Sequence, residues 1–324
     1  MNRRRFVALA SALPACRPSS GEMEGILRLG HFPNLTHVQA LVAHQMTRQG
    51  KGWFEERLGM EVRWFVYNAG PSVAEAFFAR SLDAAYVGPS PLINAFVRSD
   101  GREMRVLSGA ANGGAALLVR AGSGIAESAD FRGKRLATPQ LGNTQDVQAR
   151  AWLREQGFAV SMTEHEVYVI PTKNADQLAL FAKSELDAVW TTEPWASRLE
   201  MEQSAKVFLE DSETPVTLLA GRAGFVERHA ALAGRLVKAH QDLTGWIRSH
   251  ADEAKELMRQ ELEALTTKAP SLELLERALR RVTLTDEVDP AAMRKLLADA
   301  QAAGFLRSAP PLDNLYWKQP TAPL

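Results

Sequence analysis

One local pattern, repeated along the chain, constrains the fold more than any other feature. It is a short apolar run, a corner of Gly, Pro and small polar residues, and then an amphipathic stretch at helical spacing. Residues 136–157, LATPQLGNTQDVQARAWLREQG, carry the fullest copy. Leu136 and Ala137 close the apolar run, and Pro139 and Gly142 break it. Asn143 or Thr144 suits the N-cap, because a short side-chain oxygen can accept from an unpaired helix N–H. Asp146, three residues after Asn143, is placed for reciprocal capping, and its charge suits the positive end of the helix dipole. Ala149, Trp152 and Leu153 form the inward stripe, and Gly157 suits the stop. Such a corner aims several N–H donors at one point, which fits an anion or a polar head group. A plain strand-to-helix connection is the bland alternative.

The pattern recurs from the start. Residues 26–32, ILRLGHF, alternate as a strand, and Thr36 or Asn34 can cap the helix that follows. Residues 61–67 form a second strand, with a turn at 68–71 and Ser72 and Glu75 spaced as a capping box. Residues 83–87 lead into Gly88, Pro89, Ser90 and Pro91, where Ser90 as N-cap before a first-turn proline marks a helix start. Strands at 104–111 and 115–119 flank Asn112, Gly113 and Gly114. Further strands fall at 166–170, 187–191 and 206–209. Asn174 with Gln177 opens one helix, and Thr192, Glu193, Pro194 and Trp195 open another. From Phe225 onward the pattern is mostly helical. Residues 78–84, FARSLDA, echo residues 181–188, FAKSELDA, each before a polar corner and a proline. This pair predicts two similar α/β lobes, with no third copy to suggest a solenoid.

Strands alternating with helices through short connections predict mainly parallel sheets, whose ligands sit outside the C-terminal strand ends. The corners at 33–37, 88–91, 112–114, 142–145 and 191–195 then share one cleft. The 324 residues suit about two domains. The expected division is lobe 1 at 26–119 and 220–324, and lobe 2 at 120–219. The 38 basic and 38 acidic residues cancel, which leaves no broad nucleic-acid footprint. Cys16, the only cysteine, excludes an internal disulfide and a thiol nucleophile in the folded body. Ahead of it, Arg3, Arg4, Arg5 and an apolar run read as a signal peptide over residues 1–15. Leu13, Pro14, Ala15 and Cys16 resemble a bacterial lipobox. Residues 16–25 then read as a lipid-anchor cysteine and its tether. No later segment is apolar enough to span a membrane.

The ordered segments HFPNLTHVQAL, AEAFFARSLDAAYVGPSPLI, GAALLVR, FRGKRLATPQLGNTQDVQARAWL and LDAVWTTEPW resemble the solute-binding proteins of bacterial ABC importers for nitrate, taurine and aliphatic sulfonates. The resemblance implies a type II periplasmic-binding-protein fold that closes on a ligand and delivers it to a permease driven by an ATPase. Lipidation of Cys16 would tether it there. By the same resemblance Asn34, Thr36, His37, Pro89 and Ser90 bind ligand from one side. Asn143, Thr144 and Gln145 meet the head group, and Thr191, Thr192, Glu193 and Trp195 line the far wall. Asn112 and Gly142 complete the candidate set from the shared corners. Two features depart from a sulfonate binder. The loop is Gly-Asn-Thr-Gln-Asp where sulfonate binders are Ser-rich, and Glu193 would repel an anion unless it points away or pairs with Arg198 or Arg222.

The expected function is capture of a small oxyanion-bearing solute, a sulfonate by preference. A carrier of a thiamine-precursor pyrimidine, or an enzyme on the same fold, is the alternative. The sequence lacks Gly-x-Ser-x-Gly and the phosphate-loop motif. No cofactor is expected. His31 and His37 flank the first loop and could meet a metal or an anion, but no metal-ligand spacing surrounds them, so no metal is expected. Trp190 and Trp195 could wall a ligand or serve as core.

Overall fold

In the computed structural model, residues 25–160 and 166–319 are described, which leaves the expected leader and Cys16 outside them. Among the described residues, eleven strands form two sheets. The first contains β1 (Ile26–His31), β2 (Glu61–Val66), β3 (Ala84–Val87), β4 (Met104–Gly113), β10 (Pro215–Arg222) and β11 (Val282–Leu284), in the order β11-β4-β10-β3-β1-β2. The second contains β5 (Ala115–Val119), β6 (Arg135–Thr138), β7 (Tyr168–Pro171), β8 (Ala188–Thr192) and β9 (Lys206–Asp211), in the order β7-β6-β8-β5-β9. The β1, β2 and β3 pairings are parallel, as are β6 with β7 and with β8. β10 runs antiparallel between β3 and β4, and β5 runs antiparallel between β8 and β9.

Period-two alternation divides each sheet between two cores. On one face of the first sheet, Leu27, Leu29, Tyr86 and Leu219 pack with α1 (Val38–Arg48), α2 (Trp53–Leu58), α8 (Ala223–Arg228), α9 (Ala230–Ser249), α10 (Ala251–Thr266) and α11 (Leu272–Leu279). On the other face, Val87, Val106 and Leu218 pack with α3 (Gly70–Phe78), α4 (Pro89–Arg98) and α12 (Pro290–Ala302). In the second sheet, Leu118 and Val189 face α6 (Asn174–Ala182) and α7 (Trp195–Gln203), while Leu117 and Leu136 face α5 (Thr144–Glu155). All eight residues of β10 are buried, as befits a central strand covered on both faces.

The crossings between sheets depart from the expected lobe boundaries. The chain leaves the first sheet at Gly113 and Gly114, where φ is +68° and +70°, and β5 joins the second sheet. It returns through residues 212–214 to β10. Residues 115–119 and 215–219 therefore belong to the opposite sheets from those expected. The sequence places the strands on either side of these glycines in the same lobe. Instead the glycines turn the chain where a Cβ on Gly114 would lie 2.7 Å from Val282 and 2.9 Å from Thr36. The Gly113 amide donates to the Thr214 carbonyl at 3.0 Å, which ties the two crossings together.

Candidate functional site

The crevice between the sheets is built from strand ends and helix starts. Phe32, Asn34, Thr36 and His37 follow β1, Asn68, Ala69 and Gly70 follow β2, and Gly88 and Pro91 follow β3. Across from them stand Pro139, Asn143, Thr144 and Gln145 after β6, Asn174 at the start of α6, and Thr192 at the end of β8, with Val216 of β10 at the base. Among the described residues, no Asp, Glu, Lys or Arg lines this cavity. The starts of α3, α4, α5 and α6 all contribute to it, so the positive ends of four helix dipoles converge.

Caps at these helix starts differ from the expected ones. Asn143 caps α5 as expected, accepting from the Asp146 amide at 2.9 Å. Asp146 reaches back to the Gly142 amide at 2.9 Å and accepts from the Thr138 hydroxyl at 2.8 Å. α4, however, starts at Pro89 with Gly88 as its N-cap and no side-chain cap. Ser90 thus lies inside the first turn and its hydroxyl is not spent on capping. α3 starts at Gly70 rather than after Ser72, so the Ser72–Glu75 capping box does not form. Asn34 makes no cap hydrogen bond either, and its Oδ1 accepts from the Trp195 indole at 3.1 Å.

Among the described residues, four buried polar atoms at or beside this cavity have no protein partner: His37 Nδ1, Ser90 Oγ, Gln145 Nε2 and Thr192 Oγ1; Ser90 alone is outside the lining, between the lining residues Gly88 and Pro91 in sequence. The first two come from the six-stranded sheet's side and the last two from the other side. A buried unpartnered polar group costs on the order of 1–3 kcal/mol, so a cluster of four calls for a guest. Burial, reinforced by the nearby His31 ring, lowers the His37 pKa well below the ordinary histidine value. His37 is therefore neutral at pH 7. The cavity measures about 20 Å³, room for little more than one water. The walls already touch: the Ser90 amide donates to Thr144 Oγ1 at 3.3 Å, and a Cβ on Gly88 would lie 2.7 Å from that oxygen. The Leu35 amide donates across the crevice to the Glu193 carbonyl at 2.8 Å.

Several expected site residues stand elsewhere. Glu193 turns away from the cavity and pairs with Arg281, not with Arg198 or Arg222, at 2.9 Å. Ser197 also donates to it through both its amide and its hydroxyl, each at 3.0 Å. Burial pushes the Glu193 carboxyl above its ordinary range, against these hydrogen bonds. Trp195 holds Asn34 but does not line the cavity; its ring borders a separate groove of about 740 Å³ with Leu178, Met201 and Leu262. That groove has no unpartnered buried polar side chain among its lining residues. Thr191 donates to Asn174 Oδ1 at 3.1 Å and so positions a lining residue. Asn112 lies in β4 between β10 and β11 and is outside the lining; Pro89, Ser90 and Gly142 are outside it too.

Sequence reasoning misses the corner at Asn68–Gly70 and the start of α6 as parts of the lining. The same strand-to-helix device, with Pro71 beside it, was the available signal. A different group, His31 at the end of β1, His44 of α1 and Glu261 of α10, has the composition of a metal site but does not line this cavity.

With this geometry in view, comparison with known proteins places the chain. Residues 21–260 match the NMT1-like family. The chain belongs to that family. A Bacillus subtilis (strain 168) protein named as a candidate aliphatic sulfonates-binding protein is 26% identical over 231 residues, 68% of this chain and 67% of that protein. The alkanesulfonate-binding protein SsuA from Xanthomonas axonopodis pv. citri, solved with MOPS bound, superposes with a TM-score of 0.70 at 19% identity, covering 89% of this chain and 95% of that one. The periplasmic nitrate-binding protein NrtA from Synechocystis PCC 6803 superposes with a TM-score of 0.68 at 17% identity, covering 87% of this chain and 82% of that one. The fold is that of the periplasmic binding proteins. No helix among the described residues is long and apolar enough to cross a membrane.

Proposed function

We propose that this NMT1-like protein is the solute-binding component of an ABC importer, and that it grips a small oxyanion-bearing solute, an alkyl sulfonate by preference, between its two sheets. The observation that carries this reading is the set of unpartnered atoms His37 Nδ1, Gln145 Nε2 and Thr192 Oγ1 on one cavity, with no charged side chain among its described lining residues and with unpartnered Ser90 Oγ beside it. Hydroxyls, an amide and helix N-termini complement an anion without a formal cation, so release to a permease is not opposed by an ion pair. Glu193, whose charge is taken up by Arg281, no longer argues against an anionic guest. The sulfonate- and nitrate-binding names among the similar proteins support the same ligand class.

Closure supplies the hold. A ligand touched by both walls favours the closed state by its differential affinity for that state. The tight cavity implies that the walls separate to admit any guest larger than water. Export and lipidation at Cys16 belong to this proposal, supported by the basic and apolar leader; globomycin-insensitive processing would remove the anchor from it. A calorimetric screen of alkanesulfonates, taurine, nitrate and thiamine-precursor pyrimidines tests the ligand class. Micromolar or tighter binding of a sulfonate is expected, without turnover. Binding of the pyrimidine alone, or conversion of any compound, would replace the reading with a heterocycle carrier or an enzyme.

A further inference from the structure

We propose that His31, His44 and Glu261 form a binding site for a divalent first-row transition ion of the zinc class, where the end of β1 meets α1 and α10 at the root of the ligand loop. Their ligand atoms all lie within 4.8 Å of one another, and all three residues are buried. His31 Nε2 is 2.9 Å from His44 Nδ1, and His44 Nδ1 is 2.7 Å from Glu261 Oε1. The proton count at this point is unusual. His31 Nδ1 lies 3.1 Å from the Phe32 carbonyl, which can only accept, so that nitrogen carries the hydrogen. In the neutral ring Nε2 then presents a lone pair. His44 Nδ1 can offer a single N–H, yet it faces two acceptors, His31 Nε2 and Glu261 Oε1. A cation accepts lone pairs from all three at once, where one proton must be shared.

The surroundings match those of a transition-metal site. Two imidazoles and a carboxylate suit zinc and its neighbours, whereas calcium and magnesium prefer oxygen alone. The Phe32 carbonyl orients His31, and Arg48 Nε, 2.7 Å from Glu261 Oε2, orients the carboxylate from its other oxygen. Trp64 stacks on His44 at 4.9 Å between ring centroids and meets His31 edge-on at 5.5 Å. Tetrahedral zinc would set its ligand atoms about 3.3 Å apart, so the two close pairs at His44 Nδ1 would each open by about half an ångström. The approach is from the seam between α1 and α10, where the Arg48 side chain is 40% exposed and that of His44 11%. Water arriving there would fill the fourth position. Because His31 adjoins Phe32, which lines the ligand cavity, an ion here would fix the base of that loop.

The test uses the whole chain, freed of metal by chelation and of any affinity tag, and titrated with Co²⁺ and then Zn²⁺. One equivalent of Co²⁺ is expected to produce visible d–d bands that Zn²⁺ abolishes. His44→Gln and His31→Gln should each weaken Zn²⁺ binding at least tenfold, and His250→Gln on the exposed surface should not. Absence of the bands, or binding that survives both cluster variants, would overturn the assignment. Should those variants fail to fold, zinc X-ray absorption on the native chain decides it: two imidazoles in the first shell support the site, and fewer than two refute it. None of these readouts requires the transport ligand.

Discussion

Ser90 shows how one residue's place in a helix sets its role. As an N-cap its hydroxyl would be consumed; at the second position of α4 it is buried and unpartnered. Ser90→Ala should therefore lower sulfonate affinity about ten- to a hundredfold, the worth of a hydrogen bond to a charged group, without lowering the urea midpoint. Calorimetry and denaturation on the same samples check both halves. A loss of stability without a loss of affinity would return Ser90 to a structural role. His240 carries a second prediction. It lies between the Tyr86 hydroxyl at 2.9 Å and the Gly109 carbonyl at 2.8 Å, and burial lowers its pKa to about 4. Below pH 6.5 the unfolded chain takes up a proton there that the folded chain refuses until about pH 4. Stability present at pH 7 should thus fall by about 2 kcal/mol at pH 5 from this group, with buried His37 acting in the same direction. Urea midpoints at the two pH values read the change, and an equal or higher midpoint at pH 5 would contradict it.

Among the elements, the segment between α11 and β11 acts as a clasp between the sheets. Arg281 stands beside β11 of the first sheet and meets Glu193 at 2.9 Å, Glu200 at 2.6 Å and Glu210 at 3.1 Å, all from the second. Arg277 adds a contact to Glu200 at 2.8 Å. Burial opposes the charge on Glu200, but these two arginines hold its carboxyl below the ordinary range. Arg281→Ala would leave three carboxylates together, one of them fully buried, and the closed form would bear that cost. Opening lets water reach them. Ligand affinity should fall at least tenfold, and X-ray scattering should show a larger radius of gyration in the ligand-free variant. Unchanged affinity and scattering would mean that the clasp does not bias closure. The sequence did not show this element. β11 has only three residues, and its pairing with β4 comes from tertiary contact rather than local pattern. By contrast the strand, corner and helix around Gly142 were legible, because capping chemistry and apolar spacing are local properties. The directions of Trp195 and Glu193 are not legible for the converse reason: a corner's position follows from its sequence, but the direction of each side chain depends on what the opposite sheet offers.

For the whole molecule, two sheets joined by two short crossings make separation and closure the natural motion. The repeated strand-to-helix corners revealed the α/β architecture and the presence of a shared cleft. The exact crossings were not legible, since Gly113 and Gly114 can end a hairpin as readily as they pass the chain to another sheet. The metal cluster was invisible for a related reason: His31 and His44 are 13 residues apart, and Glu261 reaches them only through the packing of α10 on α1. On the proposed reading, two walls, each bringing polar atoms that lack protein partners, close on one anion. A crystal structure with an alkanesulfonate bound tests this most directly. The sulfonate oxygens should lie within hydrogen-bond reach of Ser90 Oγ on one wall and of Gln145 Nε2 and Thr192 Oγ1 on the other. A sulfonate held by one wall alone, or seated in another hollow while those atoms stay unpartnered, would contradict it.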